Sequence, residues 1–204
     1  TDYVHRDDIE TIYSNARKLT ITNPRFEVEY RIRNSKGEYL WFSSIISLIQ
    51  DWSTGTFKYL TSARDVTEKH RLQEELSLSS FSMEKAIDMI YWINAEGRII
   101  HVNDSVVSIL GYSREKILTL MAYDIDLNLT GENWDDQWSH LKTEGSNKLE
   151  TLLRACNGTL VPVELSINYH VSDSGGIAFV FAVDITERKM MEEERRSNLT
   201  FLTT

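Results

Sequence analysis

From Ile177 to Val183 every side chain is apolar but the sizes alternate, with Ile177, Phe179, Phe181 and Val183 on one face and Ala178, Val180 and Ala182 on the other. The pattern predicts a strand over 176–183 whose small-residue face leaves room beside it. Two more strands are predicted at about 148–155 and 160–171, divided by the hairpin signal Asn157-Gly158 and followed by the turn cluster from Ser172 to Gly176. Ahead of them the period becomes helical: Trp134, Trp138 and Leu141 recur on one face, Glu132, Asp135 and Asp136 put acid in a first turn, and Gly145 is a stop. Further upstream come a strand from Met89 to Ile93, the turn Asn94-Ala95-Glu96-Gly97 and a strand from Arg98 to Val102. Short helices follow, one capped by Asp104 or Ser105 and ending at Gly111, the next capped by Ser113.

The same order of features occurs near the start of the chain. Ile9, Ile12, Tyr13, Ala16 and Leu19 share one helix face, and strands are predicted near 26–33, 39–50 and 56–64. With Gly37 set against Gly158, an offset of 121 (158 − 37), Glu29 falls on Glu150, Ile32 on Leu153, Arg33 on Arg154 and Leu40 on Val161. Further on, Asp65-Val66-Thr67-Glu68-Lys69 matches Asp184-Ile185-Thr186-Glu187-Arg188 at an offset of 119 (184 − 65). This is an internal repeat whose first copy starts at its helix. Its sheet is therefore expected to lack two strands and to expose an edge, with the missing strands belonging before Thr1.

Taken in order, Gly97-Arg98-Ile99-Ile100, Val102-Asn103, Leu110-Gly111-Tyr112-Ser113-Arg114-Glu115, Asn157-Gly158-Thr159 and Asp184-Ile185-Thr186-Glu187-Arg188 resemble the PAS sensory domains. The resemblance implies an α+β fold: a five-stranded antiparallel sheet with helices on one face around a small-molecule pocket, preceded by the C-terminal half of a second such unit. The expected organisation is a partial PAS domain over 1–69, a linker helix over 70–87, a complete PAS domain over 88–188, and over 189–204 the start of a signalling helix. Met190 to Leu202 resembles Leu72 to Met83, so a further PAS unit or a kinase module is expected near Phe201. Such modules sit most often in histidine kinases of two-component phosphorelays, and their linker helices pass a state change to an output domain.

Composition acts by exclusion. With 41% hydrophobic residues the chain can build an ordinary core, and a net charge of −9 repels nucleic acid and anionic membrane alike. No apolar run approaches the roughly 18 residues of a spanning helix. The lone Cys156 forms no intrachain disulfide, which fits a reducing, cytoplasmic compartment.

Catalytic and metal chemistry find no candidate. His5, His70, His101, His140 and His170 have no metal-ligand spacing, and the chain has no glycine-rich phosphate loop or nucleophile triad. His70 lacks the downstream acid, Leu, base and Pro of a phosphoacceptor and reads as an exposed linker residue. Asp7-Asp8 and Asp135-Asp136 suit helix starts. In heme-binding PAS domains the ligand faces inward, whereas His140 lies about 240° around its helix from Trp134. Light-sensing relatives place a reactive Cys where Ala122 stands and a Gln where this chain has Ala182, or Ala63 in the first copy. No cofactor is therefore expected, and the ligand, if one binds, is an unknown small molecule.

By analogy with similar domains the pocket takes Tyr91 and Ile93 from the first strand, Leu165, Ile167 and Tyr169 from the fourth, Val180 and Ala182 from the fifth, and Asn103, Tyr123 and Trp138 as polar or aromatic additions. Phe179 and Phe181 then face outward and need cover. The spacing of Asp65 and Glu68, and of Asp184 and Glu187, predicts two capping boxes that include Thr67 and Thr186 and start the linker helices. Leu72, Leu76, Ser79, Met83, Ala86 and Ile90 follow a coiled-coil-like spacing. A homodimer through these helices or the outer sheet face is expected. The chain reads as a sensory module without enzymatic activity of its own. The competing readings are a ligand-free dimerisation or spacer module and a heme or flavin redox or gas sensor.

Overall fold

The computed structural model describes residues 3–51, 53–171 and 175–201, the last five of these as backbone. Residues 172–174 of the expected turn from Ser172 to Gly176 thus lie outside the described residues, as does any side-chain feature at Phe201. The chain divides into two compact units, Thr1–Leu78 and Ser79–Thr204.

The first unit runs α1 (Arg6–Ala16), β1 (Arg25–Arg33), β2 (Tyr39–Gln50) and β3 (Phe57–Asp65), the strands forming an antiparallel meander in the order β1-β2-β3. Alternation places Val28, Tyr30 and Ile32 opposite Ser44, Phe42 and Leu40. The Tyr30 hydroxyl meets the buried Ser44 hydroxyl at 3.0 Å. Two expectations change here. The helix ends at Ala16, so Leu19 falls beyond it. Asp8 is more than a first-turn acid: its carboxylate accepts the Arg31 backbone N–H and both arms of the Arg31 guanidinium at 2.8–2.9 Å, tying α1 to β1. The Arg31 hydrogen bonds hold the Asp8 carboxyl below the ordinary carboxylate range. As expected of an edge, among the described residues β3 pairs with β2 alone, and it is exposed along its length.

A helix, α2 (Thr67–Glu84), follows β3. No residue of α2 is buried, and Leu72 and Leu76 stand exposed. The coiled-coil-like spacing cannot extend to Ile90, which is already in a strand.

The second unit begins with β4 (Met89–Asn94) and β5 (Ile99–Val102), continues through α3 (Asp104–Leu110), α4 (Arg114–Ile117), α5 (Ala122–Ile125) and α6 (Trp134–Glu144), and ends with β6 (Ser146–Arg154), β7 (Leu160–His170), β8 (Ile177–Asp184) and α7 (Thr186–Phe201). The sheet is five-stranded and antiparallel in the order β5-β4-β8-β7-β6. Its last strand therefore pairs with its first. Met89, Tyr91 and Ile93 face Ala182, Val180 and Ala178 across that pair, and Val106, Leu110, Ile117, Ile125, Trp134 and Leu141 from the helices cover them in one core. On the opposite face Trp92 packs edge-on against Phe179 at 5.1 Å and lies beside His101 at 4.4 Å. Phe181 and Val183 on that face are exposed.

Asn103 departs most from expectation. Instead of Asp104 or Ser105, it is the N-cap of α3, fully buried, with Oδ1 accepting from Val106 N at 3.2 Å and from Ile90 N at 3.0 Å. Its Nδ2 donates to the carbonyls of Asp88 at 2.9 Å and Met83 at 3.2 Å. One amide thus joins the end of α2, the start of β4 and the start of α3, and it does not line the cavity described below. Asn103→Ala should cost about 2–4 kcal/mol, because two buried N–H groups lose their acceptor at once. Urea denaturation checks this, and a loss below about 1 kcal/mol would mean that the network is not a structural tie.

Candidate functional site

A cavity of about 230 Å³ lies between the inner face of the five-stranded sheet and α6. Ile93, Leu149, Leu165, Ile167 and Ala178 form its sheet side, and Trp134, Gln137, Trp138 and Leu141 its helix side. Asp126, Asn128, Leu129 and Asn147 complete it. The small side chain of Ala178 is one local cause of the space, because a bulkier residue on this strand would fill it.

The aromatic wall is seated by two glycines. Gly97 adopts a left-handed φ of 84°, and a Cβ there would approach the Trp134 ring to 3.1 Å. Only a glycine turn lets α6 come this close, and the Trp134 indole N–H donates to the Ala95 carbonyl of the same turn at 2.8 Å. Trp138 packs next to Trp134 at 5.6 Å and against Tyr169 at 5.5 Å, edge to face. The Tyr169 ring in turn occupies the space over Gly176, which a Cβ would invade.

Among the described lining residues the ionisable one is Asp126, only 5% exposed. Its Oδ1 accepts from the Thr151 hydroxyl at 2.6 Å and from Asn128 N at 2.9 Å. Burial pushes its carboxyl above the ordinary value, against the pull of those two hydrogen bonds. The nearby Tyr91 hydroxyl is pushed up as well, by burial first and by the Asp126 charge second.

Of the residues expected in the pocket, Ile93, Trp138, Leu165 and Ile167 line the cavity. Tyr91, Val180 and Ala182 are buried in the adjoining core, Tyr123 packs against that core from α5, and Tyr169 backs Trp138. Asn103 lies apart, at the start of α3. Sequence reasoning did not find Asp126 or Asn128, which sit where no period runs, although Gln137 could have been found from the α6 face that carries Trp134 and Leu141, and Asn147 from the β6 face that carries Leu149. His140 is exposed and Ala122 is buried. Among the described residues no group of three or more His, Cys, Asp or Glu is placed to hold a metal ion.

The expected linker residues form the same junction twice. Asp65 Oδ1 accepts from Thr67 N and Asp184 Oδ1 from Thr186 N, each at 2.8 Å. The contact spans two residues rather than the three of a capping box, and among the described residues neither Glu68 nor Glu187 bonds back to its Asp. What anchors the two helices is shared with the sheet. Val66 N donates to Trp41 O at 2.8 Å, and Ile185 N to Pro162 O at 3.0 Å. Glu29 on β1 pairs with Lys69 at 2.9 Å and His70 at 2.7 Å, while Glu150 on β6 pairs with Arg188 and Lys189, each at 2.5 Å. His70 also stacks on Trp41 at 4.1 Å, so it is half-buried against the sheet rather than a free linker residue. Hydrogen bonds from Lys69 and His70 lower the pKa of Glu29, and the hydrogen bond from Lys189 lowers that of Glu150.

A family model described as a PAS domain matches residues 87–187, and a second, described as a PAS fold, matches residues 1–63. Among curated proteins, a methyl sulfide methyltransferase-associated sensor from Methanosarcina acetivorans is 36% identical over 117 residues, which are 54% of this chain and 11% of that protein. The chain thus matches only about a tenth of that relative's length. Among solved structures, the PAS domain of an HTR-like protein from Haloarcula marismortui is 25% identical, covering 58% of this chain and 98% of its own, with a TM-score of 0.54.

The burial of Asp126 sets a pH dependence. With its folded pKa above the ordinary 3.8, the folded chain holds the Asp126 proton more tightly than the unfolded chain, so stability falls as pH rises from 3.8 through the folded value. Asp126→Asn keeps the Oδ1 acceptor without the charge. Its stability relative to the unaltered chain should therefore improve across that window and level off above it, as urea melts at a series of pH values would report. A pH-independent difference would show that the carboxylate pays no burial penalty.

Proposed function

Because the chain belongs to the PAS sensory domain family, we propose that it is the sensory part of a larger signalling protein: the cavity of the second unit takes a small molecule, and α7 relays the resulting state to an output domain, a histidine kinase in our reading. The observation that carries this is the course of β8. Ala178 on this strand lines the cavity, and the same strand ends at Asp184, whose side chain holds the first residue of α7. A change in cavity volume at Ala178 has only the rest of one strand to cross before it reaches the helix. The sensor named among the relatives supports the general role.

The residues favour a ligand without tightly bound redox chemistry, because Ala122 offers no thiol for a flavin adduct and the exposed His140 offers no inward axial ligand on α6. The exposed, unpaired Cys156 fits a reducing compartment, and we place the module in the cytoplasm on that ground. A second reading, a packing and dimerisation module without a ligand, draws on the exposed Leu76 and Phe81 of α2 and on Phe181 of the outer sheet face.

The two readings part on a cavity-filling substitution. Ala178→Leu in the intact signalling protein should abolish the response of kinase autophosphorylation to stimulus while costing about 1–3 kcal/mol of stability from overpacking. Under the dimerisation reading the response survives Ala178→Leu and is lost on Phe181→Ser.

At the junction, Asp184→Ala should lower stability by about 0.5–2 kcal/mol and shift the ratio of stimulated to basal output, and Asp184→Asn should retain both. An Ala variant with that loss of stability and normal regulation would leave Asp184 as a local tie only.

A further inference from the structure

We propose that the cavity of the second unit recognises a small organic cation of the alkylammonium type, its charge meeting Asp126 and its alkyl groups meeting Trp134 and Trp138. This rests on the reading that the cavity is a ligand site, and it names the chemistry of the ligand.

Charge comes first. Among the described residues that line the cavity Asp126 alone is ionisable, and none of them is a Lys, Arg or His. An anionic ligand would meet a like charge and no counter-charge. The carboxylate is also incompletely satisfied. Oδ1 takes both of its hydrogen bonds, and Oδ2, which has no partner among the described residues, is not sealed off but open to a small molecule or water. A carboxylate with so little exposure gains from a counter-charge, and a cation in the cavity supplies one to the oxygen that the protein leaves open. A neutral ligand would leave the charge as it stands.

The aromatic wall suits the same occupant. Trp134 and Trp138 lie 5.6 Å apart with their planes tilted by 31°, and the Tyr169 ring stands nearly perpendicular behind Trp138, at 78°. The Trp134 N–H is already engaged by the Ala95 carbonyl, so that indole meets a ligand with its ring rather than as a donor. Indole faces attract alkylated ammonium groups through the ring quadrupole, and the attraction strengthens when water is excluded. At about 230 Å³ the space is below the ~300 Å³ at which pockets for drug-sized ligands begin, so the cation must be small. Gln137 and Asn147 in the lining offer amides for a hydroxyl or N–H on the ligand.

Choline and its neutral isostere 3,3-dimethylbutan-1-ol differ by a nitrogen for a carbon at the same shape, and their comparison on the unaltered 204-residue chain isolates the charge. Titrations followed by the indole N–H resonances of Trp134 and Trp138 should show choline binding at least about tenfold more tightly than the alcohol, and Asp126→Asn, with a folded spectrum, should erase that preference. Equal affinity for the two probes, or a preference that survives Asp126→Asn, overturns the cation proposal and leaves the cavity standing as a ligand site. Failure of both probes to shift either indole resonance also overturns it, while the small-molecule reading is then decided by the Ala178→Leu response, which uses neither probe.

Discussion

The pairing of the first strand of the second unit with its last is the constraint on which the rest of that unit depends. Six residues of β4, from Met89 to Asn94, lie against β8 from Ala182 back to Ile177. Through this contact β8 becomes the central strand, with β4 and β5 on one side and β7 and β6 on the other. The intervening helices are then confined to one face, where Trp134 and Leu141 of α6 join Ile93 and Ala178 of the sheet in one core. Long-range antiparallel pairing of this kind is entropically expensive to close. The buried alternation Met89, Tyr91, Ile93 against Ala182, Val180, Ala178 offsets that cost through the apolar surface it removes from water. The first unit shows the contrast. There β3 has a partner on one side only and all of its residues are exposed.

Within that frame the chain uses electrostatics in two different ways. At the two strand-to-helix junctions, Glu29 and Glu150 are paired with cations from α2 and α7 at the protein surface, where each pair contributes little to stability but fixes which residues of the helix face the sheet. In the cavity, Asp126 is buried beside apolar walls and takes both of its hydrogen bonds on one oxygen, a burial that costs stability and is common where a protein binds something. The surface pairs recur in both copies of the repeat, whereas the buried carboxylate belongs to a stretch between α5 and α6 that has no counterpart in the first unit.

The strands were legible because alternation and glycine turns are local signals: Asn157-Gly158 closes a hairpin between β6 and β7, and the small face of β8 is the buried one. The repeat was legible for the same reason, and it foretold two junctions of one design. What sequence could not supply were contacts made by chain segments far apart. Asn103 was expected in the pocket, but its acceptor is drawn to Ile90 N because β4 passes next to the start of α3. Asp126 went unnoticed since its meaning comes from the Thr151 hydroxyl on β6, a partner that no spacing rule connects to it. The Asp-x-x-Glu spacing suggested capping boxes, yet the closer Thr67 and Thr186 backbone amides take the aspartates. His70 lost its expected exposure to Trp41, a contact that exists only once β2 and α2 are folded together.

In our reading the cavity and the α7 junction, both carried by β8, share one state. Amide hydrogen exchange at Ile185, whose N–H is held by the Pro162 carbonyl, and at Lys189, whose N–H is held by the Ile185 carbonyl, tests it most directly when the cavity is filled by Ala178→Leu. Protection at these two amides should change by about tenfold or more, corresponding to ~1.4 kcal/mol, while protection of Ile90 N–H on Asn103 should stay within about twofold. Unchanged protection at Ile185 and Lys189, or an equal change at all three amides, would contradict it.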